Sequence, residues 1–442
     1  MNRFYRHIWS KTLGQAIVVP ECAGGGAGRK AGRRRGGSLV ALMFMLAALP
    51  AGTALADTNW TGAVDGDWFN AANWTNGVPA NTGAYSNING PVTAVVGAPG
   101  GTTEDRTSVG SGSGVSGSVT IENGGSLTTG CCFYLGNNGG TGTMTVSGTG
   151  TVTTTDIFMI GNYTSTGHLT IENGGTVNSG SSTFVGRWDG STGFATVTGQ
   201  DSVWNTSWNL TLAGEVSSSL TAHGELTISD GGLVRVNSGN SALRIGYAAD
   251  STGLLNIGAA EGDLAAAAGM LQASSAVFGA GNSSIVFNHT DAGYIFSTPI
   301  SGNGEVRQLA GTTSLTGSNS WAGSTVVEGG VLRAGGASGL SGNATYEVNG
   351  GTLDFNDFSR TIAALSGTGG TVDLGSATLT VDQSVKTVFA GAIGGSGGSL
   401  VKTGFGTLTL TGTNTYTGGT TIAGGSLVGN SASLAGDIEM AA

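Results

Sequence analysis

Five ten-residue segments in the first half of this chain repeat one pattern, and each follows a glycine. They are SVTIENGGSL (118–127), TMTVSGTGTV (143–152), HLTIENGGTV (168–177), FATVTGQDSV (194–203) and ELTISDGGLV (225–234). The preceding glycines are Gly117, Gly142, Gly167, Gly193 and Gly224, and Gly253 opens a sixth, weaker copy. The spacings are therefore 25, 25, 26, 31 and 29 residues. A period of that size is the mark of a solenoid. Within a copy apolar residues alternate with polar ones, so Val119/Ile121, Leu169/Ile171 and Leu226/Ile228 face inward. Thr120, Thr170 and Thr227 face outward. A turn and a further aliphatic residue (Leu127, Val152, Val177, Val203 or Val234) follow. A third apolar piece then ends in glycine: YLG (134–136), MIG (159–161), FVG (184–186) and RIG (244–246). Three short strands and three turns per copy cannot close a core alone. Stacked copies can, with one continuous inward column. The expectation is an all-β parallel β-helix of about fifteen coils at about 25 residues per coil. Only EGDLAAAAGML (261–271) hints at a helical turn.

Composition narrows the function classes. Gly is 83 of 442 residues and Pro only 6, without a three-residue period, which excludes collagen. Hydrophobic residues at 38% and charged residues at 10% are the reverse of a disordered chain. Charge is segregated. Residues 1–56 hold eight of the 17 basic residues and one of the 27 acidic ones, leaving 9 against 26 and a net charge of −17 beyond them. That argues against nucleic acid and against anionic membrane as partners.

The basic run GRKAGRRRGG (28–37), the apolar run SLVALMFMLAAL (38–49) and ALA (54–56) read as a secretory signal cut after Ala56. Twelve apolar residues are too few to span a bilayer, and no integral membrane segment is expected in the mature chain. Ahead of this signal, Arg3, Tyr5, Arg6, Ile8, Trp9, Val18 and Glu21 stand where the extended signal-peptide region of type V secreted proteins has matching residues; Pro20 departs from that pattern. Residues 301–335 and 396–430 align without a gap at an offset of 95, pairing Trp321 with Tyr416 and Gly329–Gly330 with Gly424–Gly425. The second copy resembles the passenger-associated transport repeat of autotransporters, and WFNAANWTNGVP (68–79) resembles the start of many such passengers. The resemblance implies a Gram-negative envelope, a right-handed β-helix, and an outer-membrane β-barrel translocator as partner. No barrel pattern follows the last repeat, which ends in NSASLAGDIEMAA (430–442). The expectation is thus a transport-repeat region truncated at its end. Such a chain stays periplasmic unless a barrel is supplied by a longer reading frame or another protein. The organisation read is an extended signal peptide (1–56), the start or cap of the β-helix (57–116), 25-residue repeats (117–258), irregular coils (259–298) and transport repeats (299–442).

Chemistry is sparse. Gly394–Gly398 satisfies G-x-S-x-G around Ser396, but no histidine follows it. Gly112-x-Gly114-x-x-Gly117 lacks a βαβ setting. His168 opens a strand of one copy, and Glu122 and Glu172 recur at one turn position. Asp156, Asp189 and Asp201 lie in neighbouring copies at different phases. Trp60, Trp68 and Trp74 cluster near the mature start, where they suit a cap; Trp188, Trp204 and Trp208 suit coil packing or, if exposed, ligand stacking. The adjacent Cys131 and Cys132 are expected as free thiols, and Cys22 lies in the signal. No catalytic, cofactor-binding or metal-ligating residue is assigned, and the chain reads as non-enzymatic. The reading is a secreted surface passenger, adhesive or structural, with a host glycan or matrix component as ligand. A polysaccharide lyase or hydrolase on the same scaffold, or a non-functional truncated passenger, is the alternative.

Overall fold

The computed structural model describes residues 57–79, 85–103, 105–215 and 220–441, and the backbone alone of 6–10 and 15–19. The last two segments form a two-stranded antiparallel ladder, Arg6–Ser10 with Gln15–Val19, within a separate unit, Met1–Thr53. The apolar signal run, its cleavage point and Cys22 lie outside the described residues.

Residues Ala54–Ala442 form the second unit. A regular coil contributes one strand to each of three parallel sheets. In one turn of chain, Thr141–Ser147 lies on face 2, Thr151–Thr154 on face 3 and Ile157–Asn162 on face 1. Faces 1, 2 and 3 hold ten, twelve and seven strands. Toward the end of the chain, five-, three- and six-stranded sheets take over as faces 1, 2 and 3, with the same order around the coil. A bridge between Gly367 and Phe389 joins the two parts of face 2. Twelve strands and three more make fifteen levels on that face, the number the repeat length implies.

The expected register holds pair for pair. Gly142 lies opposite Gly117 and Gly167, Gly193 opposite Gly167 and Gly224, and Gly224 opposite Gly253. These glycines sit where the chain enters face 2 and passes close to face 1. A Cβ on Gly142 would overlap the Gly136 nitrogen and the Val109 carbonyl. Val119, Ile121, Leu169, Ile171, Leu226 and Ile228 are all buried, and Thr120, Thr170 and Thr227 are partly exposed. ENGG closes a tight turn between faces 2 and 3. Asn123 and Gly124 both have positive φ (49° and 85°), and the Gly125 N–H donates to the Glu122 carbonyl (2.7 Å). Glu122 and Glu172 therefore mark a turn.

The irregular spacings are absorbed at corners. The 31-residue interval adds one residue between faces 2 and 3 and four between faces 1 and 2. The helical hint at 261–271 is not realised. Ala266 and Ala268 instead make isolated bridges to His289 and Ser229, because the segment is threaded along strands already in place.

Two further expectations change. Cys131 and Cys132 are joined as a vicinal disulfide and are not free thiols. They lie in the turn between Ser126–Thr129 and Phe133–Asn137, so the strand rule that sends neighbours to opposite faces does not apply. The 95-residue repeat is also not a simple translation. Its first copy runs on faces 2 and 3 (Glu305–Ala310, Thr312–Leu315), its second on faces 1 and 2 (Ser399–Thr403, Thr407–Leu410). Coils here are about 20 residues long, for example Thr325 to Tyr346 to Leu365, so 95 residues is not a whole number of turns. The phase slips as well. Val306 and Gln308 point inward in one copy, Leu400 and Lys402 in the other. Arg307 and Lys402 align in sequence yet lie on opposite sides of the wall.

Candidate functional site: an arginine–aromatic strip on face 1

The motifs for catalysis do not assemble. Ser396 is in an exposed turn between strands, and the only helical segments among the described residues are two three-residue 3-10 turns. A nucleophile elbow and a dinucleotide turn both require a helix start that is not there. Asp156, Asp189 and Asp201 fall at three different corners: between faces 3 and 1, 1 and 2, and 2 and 3. They cannot converge on one bond as a glycosidase pair must. His168 stacks on Phe194 (5.1 Å, 10° between planes), with His223 tilted against the same ring, an outward ladder on face 2. Burial lowers the His168 pKa.

One constellation resembles a nucleophilic triad. His289 Nε2 is 2.8 Å from Thr313 Oγ1, and its Nδ1 lies 3.8 Å from the Asp291 carboxylate. The backbone decides its role. The Asp291 N–H donates to Nδ1 (3.2 Å), so Nδ1 is an acceptor and Nε2 carries the proton. A general base needs the opposite tautomer. Thr313 and His289 are also wholly buried, so the group is structural.

The tryptophans divide. Trp60, Trp68 and Trp74 pack edge to face at 5.1 and 4.7 Å, with the Trp60 N–H on the Asn87 carbonyl of face 1 and the Trp68 N–H on the Val95 carbonyl of face 2. Trp60 Nε1 donates to the Val92 carbonyl and Trp74 Nε1 to that of Trp68, each at 2.8 Å. This trio seals the first coil. Trp204 is in the core, in register between Val177 and Val234. Trp188 and Trp208 are on the surface, Trp208 at 58% exposure.

The surface around Trp188 is unlike the rest of the wall. Tyr134, Met159 and Phe184 stand in register on the outer side of face 1, yet Met159 and Phe184 are buried. Arginines lie across them. The Arg187 guanidinium is 4.8 Å from the Phe184 ring and 5.0 Å from Trp188, and touches Met159 Sδ at 3.1 Å. Glu215 holds it in two-point contact at 2.8 and 2.6 Å. Arg106 sits 4.2 Å over Tyr85 and 5.9 Å from Tyr134; Arg244 sits 4.9 Å from Tyr247. Every cation–π contact among the described residues belongs to these three arginines. Burial raises the Tyr134 phenol pKa. At the corner toward face 2, Tyr163 stacks on Trp188 at 5.8 Å and 6°, with Tyr163 half exposed. Planar donors, fixed rings and a half-exposed tyrosine stacked on an indole are what a sugar or a protein side chain docks on.

Sequence reading missed Arg187 and Glu215. A signal exists: Asn137–Asn138 and Asn162–Tyr163 become Arg187–Trp188 in the next copy, and Glu215 sits in the four-residue corner insertion.

The first 50 residues match the family described as Extended Signal Peptide of Type V secretion system. Residues 310–334 and 400–428 match Passenger-associated-transport-repeat. The first of these matches begins just after the phase slip described above. The chain is 35% identical over 178 residues to the lipoprotein YdeK of Escherichia coli strain K12, covering 38% of this chain and 13% of that protein. It is 44% identical over 97 residues to the adhesin BmaC autotransporter of Brucella suis biovar 1 strain 1330, covering 22% of this chain and 3% of that protein. The chain therefore spans a small part of the length of these relatives. No helix among the described residues is long and apolar enough to cross a membrane. A type V signal at one end, transport repeats toward the other and a parallel β-helix carrying those repeats are the features that this chain shares with autotransporter passengers.

Proposed function

We propose that the passenger is an adhesive surface and that it binds a host glycan or matrix component through the arginine–aromatic strip of face 1. The observation that carries this is the set of three arginines laid on rings beside a partly exposed Tyr163–Trp188 stack. Similarity to a segment of a Brucella adhesin supports the same reading. Aromatic platforms supply stacking area and arginines supply directed hydrogen bonds. Hydrolysis is the poorer reading. One open concavity of about 620 Å³ is lined by Asp250 and Glu305, but Glu305 is engaged by Arg307 (3.5 Å) and Ser324 (2.9 Å).

The test is an array of glycans and matrix proteins probed with the purified passenger and an Arg187→Ala/Trp188→Ala variant. Loss of about tenfold or more in affinity for the bound ligand is expected, since residues of these types cost about 2 kcal/mol or more at a contact centre. Unchanged binding by the variant, or turnover of an arrayed glycan, would overturn the reading.

A further inference from the structure

The turn that holds Cys131 and Cys132 is built against the next coil. Phe158 lies over Phe133 in register, so Asp156 stands over Cys131. The two sulfurs and an Asp156 carboxylate oxygen lie within 4.8 Å of one another. Thr155 ties the segment that carries Asp156 to the coil below, and the coil above holds the carboxylate itself. Thr155 Oγ1 donates to the Gly130 carbonyl, the Thr155 N–H donates to that of Thr129 (3.1 Å), and Ser181 Oγ of the following coil donates to Asp156. Asp105, in the same turn one coil below, is outside the converging group. Cys131 is partly exposed, so solutes reach it; Cys132 is nearly buried. Neither sulfur belongs to the apolar column that closes the coils.

We propose that this turn is a redox-gated site for a thiophilic divalent cation. In the oxidised state seen here the sulfurs are bonded to each other and offer no thiolate. Two equivalents of a low-molecular-weight monothiol convert the pair. The Cys131–Cys132 S–S bond breaks, the two monothiol sulfurs form a new disulfide, and their two protons pass to the cysteines. A cation such as Zn²⁺ or Cd²⁺ then forms two metal–sulfur bonds and releases two protons to solvent. Asp156 is the third donor, and water takes the open fourth position. Two thiolates select such ions over Ca²⁺ and Mg²⁺, which prefer oxygen. Because the ion binds the dithiol alone, it also shifts the pair toward the reduced state.

The probe is Cd²⁺, with Ca²⁺ as control, and the protein is the full chain carrying Cys22→Ser, so that the pair supplies the only thiols. Cadmium is followed by its thiolate charge-transfer absorption and by equilibrium dialysis, and far-ultraviolet circular dichroism verifies the β fold. The reduced chain is expected to take up one Cd²⁺, and the oxidised chain none. Asp156→Asn should weaken uptake about tenfold or more, with Asp105→Asn close to the parent. Failure of the reduced, folded chain to bind one equivalent would overturn the proposal. So would uptake that Asp156→Asn leaves unchanged, or equal uptake by the oxidised chain.

Discussion

At the residue scale the wall is one side chain thick, so the choice of face decides the cost of a substitution. Ile171 is wholly buried between Val146 and Val197, while its neighbour Thr170 lies in the outer row. Ile171→Asp is expected to cost on the order of 4 kcal/mol, by placing an unpaired carboxylate in the column. Thr170→Asp should change stability by about 0.5 kcal/mol or less. Urea unfolding of the two variants checks this, and equal losses would show the phase to be wrong. Gly142→Ala should cost about 2 kcal/mol or more, because its added methyl meets backbone of the neighbouring sheet and not a movable side chain. These positions were legible beforehand: alternation with period two names the inward row, and a glycine recurring every 25 residues names the corner. The cysteine pair was misread, because a strand was assumed where the chain makes a turn.

At the element scale the two transport repeats keep their corner even though they ride on different faces. Asn319 Oδ1 accepts from the Ile300 N–H (2.7 Å) and its amide donates to the Gly339 carbonyl (2.7 Å). Asn414, 95 residues on, accepts from Ile393 (2.7 Å) and donates to Ser433. Trp321 Nε1 and Tyr416 OH each bind a threonine hydroxyl four residues later. Each asparagine stitches the coil before to the coil after. Asn319→Leu should therefore cost about 1–3 kcal/mol, by leaving a buried N–H and C=O unpaired, as read from chemical denaturation. Buried polar ends recur where strands meet corners: Gln308 bonds the Ala310 and Gly311 carbonyls, and Lys402 those of Thr403, Gly404 and Gly424. Burial lowers the Lys402 pKa. His289 gives this scale a pH signature. Burial holds its pKa below the ordinary 6.5, against a smaller opposite pull from Asp291. The unfolded chain thus binds the proton first. The His289 contribution is complete above about pH 6.5 and is lost as pH falls toward the lower folded value. The stability gap between the parent and His289→Asn should narrow from pH 7.5 to pH 5, and a gap that widened would contradict the buried neutral tautomer. The gapless alignment revealed the repeat but not its rotation, since that depends on coil length, which alignment does not measure.

At the scale of the whole molecule, fifteen levels at about 4.8 Å make the coiled unit a rod of about 70 Å. Small-angle scattering from the mature chain should give an elongated profile, and a compact sphere would contradict the stacking. The fold was readable because every coil repeats the same instruction. The strip on face 1 was not, because it consists of departures from that instruction: Arg187 in place of an asparagine, and Glu215 in a corner insertion. Those corners have a consequence for how such a molecule changes over generations. A coil that lengthens by one to four residues at a corner leaves the pairing of all three sheets untouched, as the 31-residue interval does. The inner row and the corner glycines are constrained by the coils above and below. Much of the outer row, and the residues inserted at corners, are free of that constraint. Selection can therefore rewrite the outer surface coil by coil, without reopening the problem of folding.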